Sequence, residues 1–198
     1  MHFSSDFVFD GRADRPYAED DPPGPLSVYG TSKLVGEWLA REAPRHYVLR
    51  VESLFGGPTA GRGAKSGSVG RIVDAIAQGR EVPVFTDRVV SPTSAVEAAS
   101  ATARILQAGL PPGVYHCVNG GACRWDELAV EAARLLGREP RLKPMTLDSV
   151  ALKARRPRYC ALSNAKLAAA GVTMSDWKEA LARYLVVWDG PFGSAERP

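Results

Sequence analysis

Residues 27–51 read Ser27-Val28-Tyr29-Gly30-Thr31-Ser32-Lys33-Leu34-Val35-Gly36-Glu37-Trp38-Leu39-Ala40-Arg41-Glu42-Ala43-Pro44-Arg45-His46-Tyr47-Val48-Leu49-Arg50-Val51. Ser27 suits an N-cap, because its hydroxyl can accept from an amide that the first helical turn leaves unpaired. Leu34, Val35, Trp38 and Leu39 recur at the spacing of one helical face, and Pro44 ends the run. Tyr47 to Val51 has the length and character of a short buried strand. A helix followed closely by a buried strand is the repeating unit of an α/β fold.

The same alternation extends in both directions. Upstream, His2 to Phe9 predicts a strand running into a polar turn closed by Asp10-Gly11. Residues 11–26, with Pro16, Pro22, Pro23 and Pro25, predict an irregular loop. Downstream, six glycines without periodicity in 56–70 predict a loop. Val69, Ile72, Val73 and Ile76 predict a helix with Gly79 as its C-cap, and Val82–Phe85 a strand. Residues 94–108 predict an alanine-rich helix with Ala99, Ala103 and Leu106 on one face, and Gly113–Val118 a third strand. Trp125, Leu128, Ala129, Ala132 and Leu136 outline an amphipathic helix with acids in its first turn and Gly137 after it. Further helical stretches fall at about 163–170 and 175–188. The second has Ser175 as cap and Trp177, Leu181, Tyr184, Leu185 and Trp188 in one stripe. Asp189–Pro198 read as a frayed tail. Strands alternating with helices imply a largely parallel sheet.

Composition narrows the function classes. The 198 residues carry 25 Lys+Arg against 22 Asp+Glu, with 45% hydrophobic residues, as in a soluble globular chain of one domain to one and a half. A net charge of +3 with no block of like charges argues against a nucleic-acid partner. No apolar run approaches the ~20 residues of a membrane helix. The first residues lack the basic and apolar regions of a signal peptide. Cys117, Cys123 and Cys160 are odd in number and match no metal framework, so a reduced, cytoplasmic protein is expected. Gly56 and Gly61 have a P-loop gap, but Arg62 follows. Gly61-Arg62-Gly63 fails as a dinucleotide fingerprint because position 66 is Ser. His2, His46 and His116 have no zinc spacing, and no metal is expected.

The sharpest positive signal is Tyr29-x-x-x-Lys33, two residues one helical turn apart on the same face. A phenol with a pKa near ~10 is a poor acid at neutral pH, and a neighbouring ammonium lowers that value. The pair then suits protonation of a carbonyl oxygen during reduction. Gly36 and Ala40 extend the face with small side chains, suited to close approach by a sheet or a flat ligand. Taken alone, the pair is a weak signal and reads as an ordinary aromatic beside a solvated lysine. Ser4 and Ser5 end the first strand, where parallel α/β sheets bind ligands, and a hydroxyl there can hold a carbonyl oxygen toward the phenol. Taken alone, they are ordinary strand-end serines.

Together these motifs resemble the dTDP-4-dehydrorhamnose reductases, extended short-chain dehydrogenase/reductases of the sugar-nucleotide type. The resemblance runs through Ser4-Ser5-Asp6-Phe7-Val8-Phe9-Asp10-Gly11, Tyr17-x-Glu19-Asp20 and Pro25-Leu26-x-x-Tyr29-Gly30-x-Ser32-Lys33-x-x-Gly36-Glu37. It continues through Leu49-Arg50, Ser53, Phe55-Gly56, Ser91-Pro92-Thr93, Gly113-x-Tyr115-His116 and Arg156-Pro157 to Leu162 and Lys166. It implies reduction of the 4-keto group of a nucleotide-linked deoxysugar by NADPH or NADH. Ser5 would polarise the keto group, Tyr29 would give the proton, and Lys33 would bind the nicotinamide ribose and lower the Tyr29 pKa. Tyr29 and Lys33 would thus touch the cofactor, and Ser4 and Ser5 the sugar. Leu54 stands where many members carry a substrate-contacting Trp.

The family's glycine-rich βα turn, which holds the cofactor pyrophosphate, has no counterpart here. The resemblance therefore implies an N-terminally truncated chain, the C-terminal part of a Rossmann-like doubly wound parallel sheet with an interleaved small substrate-binding lobe. The expected division is one incomplete domain: a back half of the NAD(P)-binding domain at about 1–56 and 82–118, substrate-lobe segments at about 57–81 and 119–190, and a tail at 191–198. A nucleotide-sugar substrate is the expected partner, with no nucleic acid and no membrane, and any assembly is expected to be a homodimer. Two alternatives stand beside this reading. One is a non-catalytic binding or regulatory module resembling the regulatory subunit of methionine adenosyltransferase, and the other a sugar-nucleotide epimerase or dehydratase. Arg155-Arg156-x-Arg158 reads either as a diphosphate contact or as a solvated basic turn. Trp125, Trp177 and Trp188 read as core, and Cys117 as inert.

Overall fold

The computed structural model describes residues 1–57 and 67–188. Most of the glycine-rich loop read at 56–70 and the tail at 189–198 lie outside them. Three parallel strands form the main sheet in the order β1 (His2–Ser5), β2 (Tyr47–Val51), β7 (Gly113–His116). The strand expected over 2–9 is shorter than read, because Asp6–Val8 turn into a 3₁₀ helix capped by the Ser5 hydroxyl. α1 (Val28–Arg41) carries the chain from β1 to β2, with Ser27 as N-cap accepting from the Gly30 amide.

The pleat of β2 sends alternate side chains to opposite faces. Tyr47 and Leu49 pack with Ala98, Ala101 and Ile105 of α3 (Ala95–Ala108), while Arg50 turns to Glu37 of α1. Helices thus cover both faces, the doubly wound arrangement that was expected. Two face assignments differ from the sequence reading. α1 buries Gly30, Leu34 and Glu37, leaving Val35, Trp38 and Leu39 exposed, because the buried Arg50 draws the carboxylate side inward. α3 buries Ala98, Ala101 and Ile105 rather than the side bearing Leu106.

A second core joins α2 (Ser68–Ala77), β4 (Glu81–Phe85), α4 (Trp125–Leu135) and α6 (Trp177–Val187). β4, grouped above with the main-sheet half, instead pairs in parallel with β9 (Arg141–Met145), from Glu81↔Arg141 to Phe85↔Met145. β9 was not anticipated: Arg141, Lys143 and Pro144 give it no apolar alternation, and only Leu142 and Met145 are partly buried. Smaller pairs are β3 (Leu54–Phe55) with β6 (Thr93–Ser94) and β5 (Val89–Val90) with β8 (Cys123–Arg124). The helix expected at 163–170 is the single turn-and-a-half α5 (Ala165–Ala169), and Asp176 rather than Ser175 caps α6. Trp125 and Trp177 are core, and Trp188 packs against it. All three cysteines are free and buried, and burial pushes the Cys117 thiol up to about 12. Among the described residues no helix is long and apolar enough to cross a membrane.

Candidate active site

α1 meets the turn after β1 at very close range. A Cβ on Gly30 would lie 2.2 Å from the Phe7 carbonyl oxygen, so only glycine lets the helix sit there. This contact brings Tyr29 to the carboxyl end of β1, its ring edge-on to that of Phe7 with centroids 5.8 Å apart. Ser5 lies two residues before Phe7 and accepts from the Phe7 amide at 3.3 Å. Lys33 Nζ lies 5.8 Å from the Tyr29 ring centroid and donates to the Phe3 carbonyl at 3.1 Å. An ammonium has three donors, so this anchor leaves capacity for an oxygen-rich ligand. Tyr29 is 52% exposed, open to a ligand rather than buried as core.

The two serines diverge, as successive strand residues must. Ser5 Oγ donates to Asp6 Oδ1 at 2.7 Å. Ser4 Oγ instead donates to Glu37 Oε1 at 2.5 Å in a buried cluster, which commits its proton to the protein. In that cluster Arg50 holds Glu37 through Nε and Nη2, both at 2.8 Å, and its guanidinium lies 4.9 Å from the Phe9 ring centroid. His116 Nε2 accepts from Arg50 Nη1 at 3.3 Å, and Nδ1 donates to the Ser163 carbonyl at 3.1 Å. Burial and the Arg50 charge push His116 down to about 3, so it stays neutral.

Next to this end of the sheet opens a cleft of about 570 Å³, lined by α2, β4, Trp125 and the 152–156 turn. Arg71, Arg80, Arg88 and Arg156 face it against Asp74 and Glu81, an excess of cations that suits an anion with several oxygens. Arg156 links the cleft to the tyrosine, its guanidinium carbon 5.8 Å from the Phe7 ring centroid. The three arginines of the basic turn thus separate: Arg156 lines the cleft, Arg155 is exposed, and Arg158 pairs with Asp87 and Asp148. Leu54 is 44% exposed on β3 and is not part of the cleft lining.

Sequence reasoning missed a buried group behind Ser5. Acid and thiol atoms of Asp6, Glu52 and Cys160 lie within 4.8 Å of one another, and Arg88 Nη2 donates to Cys160 Sγ at 3.3 Å. Burial pushes Asp6 up to about 6, against the Ser5 hydrogen bond and the Arg88 charge, which act to lower it. Glu52 is raised well above the usual carboxylate range by burial and by Asp6. The one sequence signal was Asp6 beside Ser5; nothing local marks Glu52, Arg88 or Cys160 as its neighbours.

Several known proteins are similar to this chain. The dTDP-4-dehydrorhamnose reductase of Streptomyces griseus is 36% identical over 191 residues, covering 91% of this chain and 60% of that protein. The spore coat polysaccharide biosynthesis protein SpsK of Bacillus subtilis (strain 168) is 33% identical over 186 residues, covering 93% and 63%. A crystal structure of dTDP-4-dehydrorhamnose reductase from Bacillus anthracis str. Ames, in complex with NADP, aligns with a TM-score of 0.83 at 26% identity, covering 93% of this chain and 64% of that one. The chain spans about three fifths of the length of the curated relatives it matches. The model of the RmlD substrate binding domain matches residues 1–188, nearly every residue from β1 through α6, and the chain belongs to that family.

Proposed function

We propose that this chain carries the proton-transfer and substrate-binding part of an NAD(P)H-dependent reductase acting on the 4-keto group of a nucleotide-linked deoxysugar, of the dTDP-4-dehydrorhamnose type. The observation that carries this reading is the exposed Tyr29 phenol with the Lys33 ammonium one turn away and the Ser5 strand end beside it, joined through Phe7. Bound NADPH or NADH would supply the hydride that becomes the new C–H bond at the sugar carbon. The chain's residues do the rest. Tyr29 gives its proton to the keto oxygen as the C=O becomes C–OH, and the phenolate left behind is reprotonated from solvent. The Lys33 cation stabilises that phenolate and offers its remaining N–H donors to a ribose hydroxyl. Ser5 donates to the same keto oxygen and holds it toward Tyr29. The Arg71, Arg80, Arg88 and Arg156 cleft takes the diphosphate of the substrate, with Trp125 and Phe85 as apolar walls.

The test is NADPH oxidation by the full-length gene product with dTDP-4-dehydrorhamnose. Tyr29→Phe is expected to lower kcat by about 10²-fold or more with unchanged thermal unfolding, since general acid catalysis is worth ~10²–10⁴. A kcat within threefold of wild type would refute the role of Tyr29.

A further inference from the structure

The Ser5 hydroxyl has one proton, and it points at Asp6 Oδ1. While Asp6 is ionised, that proton is committed, and Ser5 has nothing to donate to a keto oxygen. The polarising role therefore requires a change at Asp6. Its surroundings permit one. The register Ser4↔Arg50 and Ser5↔Val51 brings Asp6 and Glu52 side by side just past the strand ends. Glu52 is 2% exposed; its Oε2 accepts from the Ser91 amide at 2.7 Å, and its buried Oε1 has no hydrogen-bond partner.

Arg88 is the cation facing the pair, with Nε donating to the Pro157 carbonyl at 3.2 Å and Nη2 to Cys160. The other titratable groups acting on the pair are the thiols of Cys160 and Cys123 and the phenol of Tyr159, none of which adds positive charge. Two buried carboxylates against one guanidinium leave an uncompensated negative charge, which a single proton removes. An unpartnered carboxyl oxygen is a natural seat for it.

We propose that Asp6 and Glu52 together retain one proton and thereby position Ser5: when the proton sits on Asp6, Asp6 donates to Ser5 Oγ and the Ser5 proton turns outward to the substrate oxygen. No bond to carbon is made or broken in this step. A solvent proton resides on one carboxyl or the other, and the Ser5 hydroxyl rotates. Once the pair loses its last proton, Ser5 is locked onto Asp6 and reduction slows. Glu52 acts as the second seat that keeps the proton to higher pH than Asp6 alone would. Both acids are positioning residues, and the inference rests on the reading of Ser5 as the keto-polarising group.

Two measurements test it. Infrared titration of the carboxylic C=O band in the 198-residue chain is expected to show a buried protonated carboxyl at pH 7, retained in Asp6→Asn and lost in Glu52→Gln at a lower pH than in the wild type. No such band in the wild type at pH 7 overturns the proposal, whether or not the variants fold. In the full-length gene product, Glu52→Gln is expected to move the alkaline fall of kcat for ketone reduction down by a pH unit or more, and Asp6→Asn to abolish it. A fall at the same pH in wild type and Glu52→Gln also overturns it, since a merely structural Glu52 would scale kcat without moving the profile. Ser5→Ala separates the two readings. If it leaves kcat unchanged, the role of Ser5 itself is wrong; if it lowers kcat while the Glu52→Gln profile stays put, only the proton pair is wrong.

Discussion

Two buried polar clusters lie at this end of the sheet, and they are built on opposite terms. On the α1 side, Ser4, Arg50 and His116 occupy one row across the three strands, and Arg50 meets the fully buried Glu37 through two hydrogen bonds. The Glu37 charge is met by Arg50 and, at 3.7 Å from the helix surface, by Arg41, and both of its oxygens have donors. Behind Ser5, two acids share one guanidinium and a carboxyl oxygen is unpartnered. The first cluster is satisfied and locks the helix to the sheet. The second carries surplus negative charge and is responsive to protons, and it is the one that touches the candidate catalytic serine. Satisfaction builds scaffold, and a deliberate deficit leaves a group able to change state.

The largest effect is expected from breaking the satisfied cluster. Arg50→Met leaves the Glu37 carboxylate buried without its partner and is expected to cost about 3–5 kcal/mol in urea unfolding. The double variant Arg50→Met/Glu37→Leu is expected to recover most of that loss, because no buried charge remains. Failure of the rescue would mean that Ser4 and His116 depend on the ion pair more than its charge balance suggests.

The pH dependence of stability sharpens the contrast, since the clusters have opposite signs. His116 is pushed down to about 3, so below pH 6.5 the unfolded chain binds the extra proton and stability falls with acidification, by about 1.4 kcal/mol per unit. Asp6 is pushed up to about 6, so between about 6 and 3.8 the folded chain binds the extra proton and stability rises with acidification; Glu52 has the same sign. Two raised carboxyls outweigh one lowered histidine, so between about pH 6 and 4.5 the wild type is expected to gain stability on acidification from these groups. Asp6→Asn should remove most of that gain, and His116→Gln should steepen it, read as melting temperature against pH. Parallel curves for all three proteins would sink the assignment.

A smaller effect is expected at the cleft. Arg156→Ala should raise KM for the nucleotide sugar about tenfold, the scale of one charged hydrogen bond. Arg158→Ala should leave KM within twofold, because Arg158 is turned to Asp87 and Asp148 instead.

Much of this was legible in the order of residues. The Ser27 cap, the one-turn spacing of Tyr29 and Lys33, the α4 stripe and the α/β alternation are local, set by helical period and by side chains within a few positions of each other. The faces of α1 and α3 were misread because amphipathicity reports what is apolar, not what the neighbour requires. Glu37 is buried because Arg50 waits opposite it, and Trp38 is left exposed. β9 was missed because its pairing with β4 comes from tertiary register and not from its own alternation. The split of Ser4 from Ser5, one committed to Glu37 and the other to Asp6, follows from a pleat that only the folded sheet orients.

By itself, then, the sequence determined most of the helices and the main-sheet strands, the family resemblance and the one-turn spacing of Tyr29 and Lys33, because these depend on short-range periodicity and residue type. Only the tertiary structure decided which charges meet: parallel register set Asp6 beside Glu52 and Arg50 between Ser4 and His116, and burial turned those adjacencies into a neutral histidine, a locked ion pair and a carboxyl pair pushed above the usual carboxylate range.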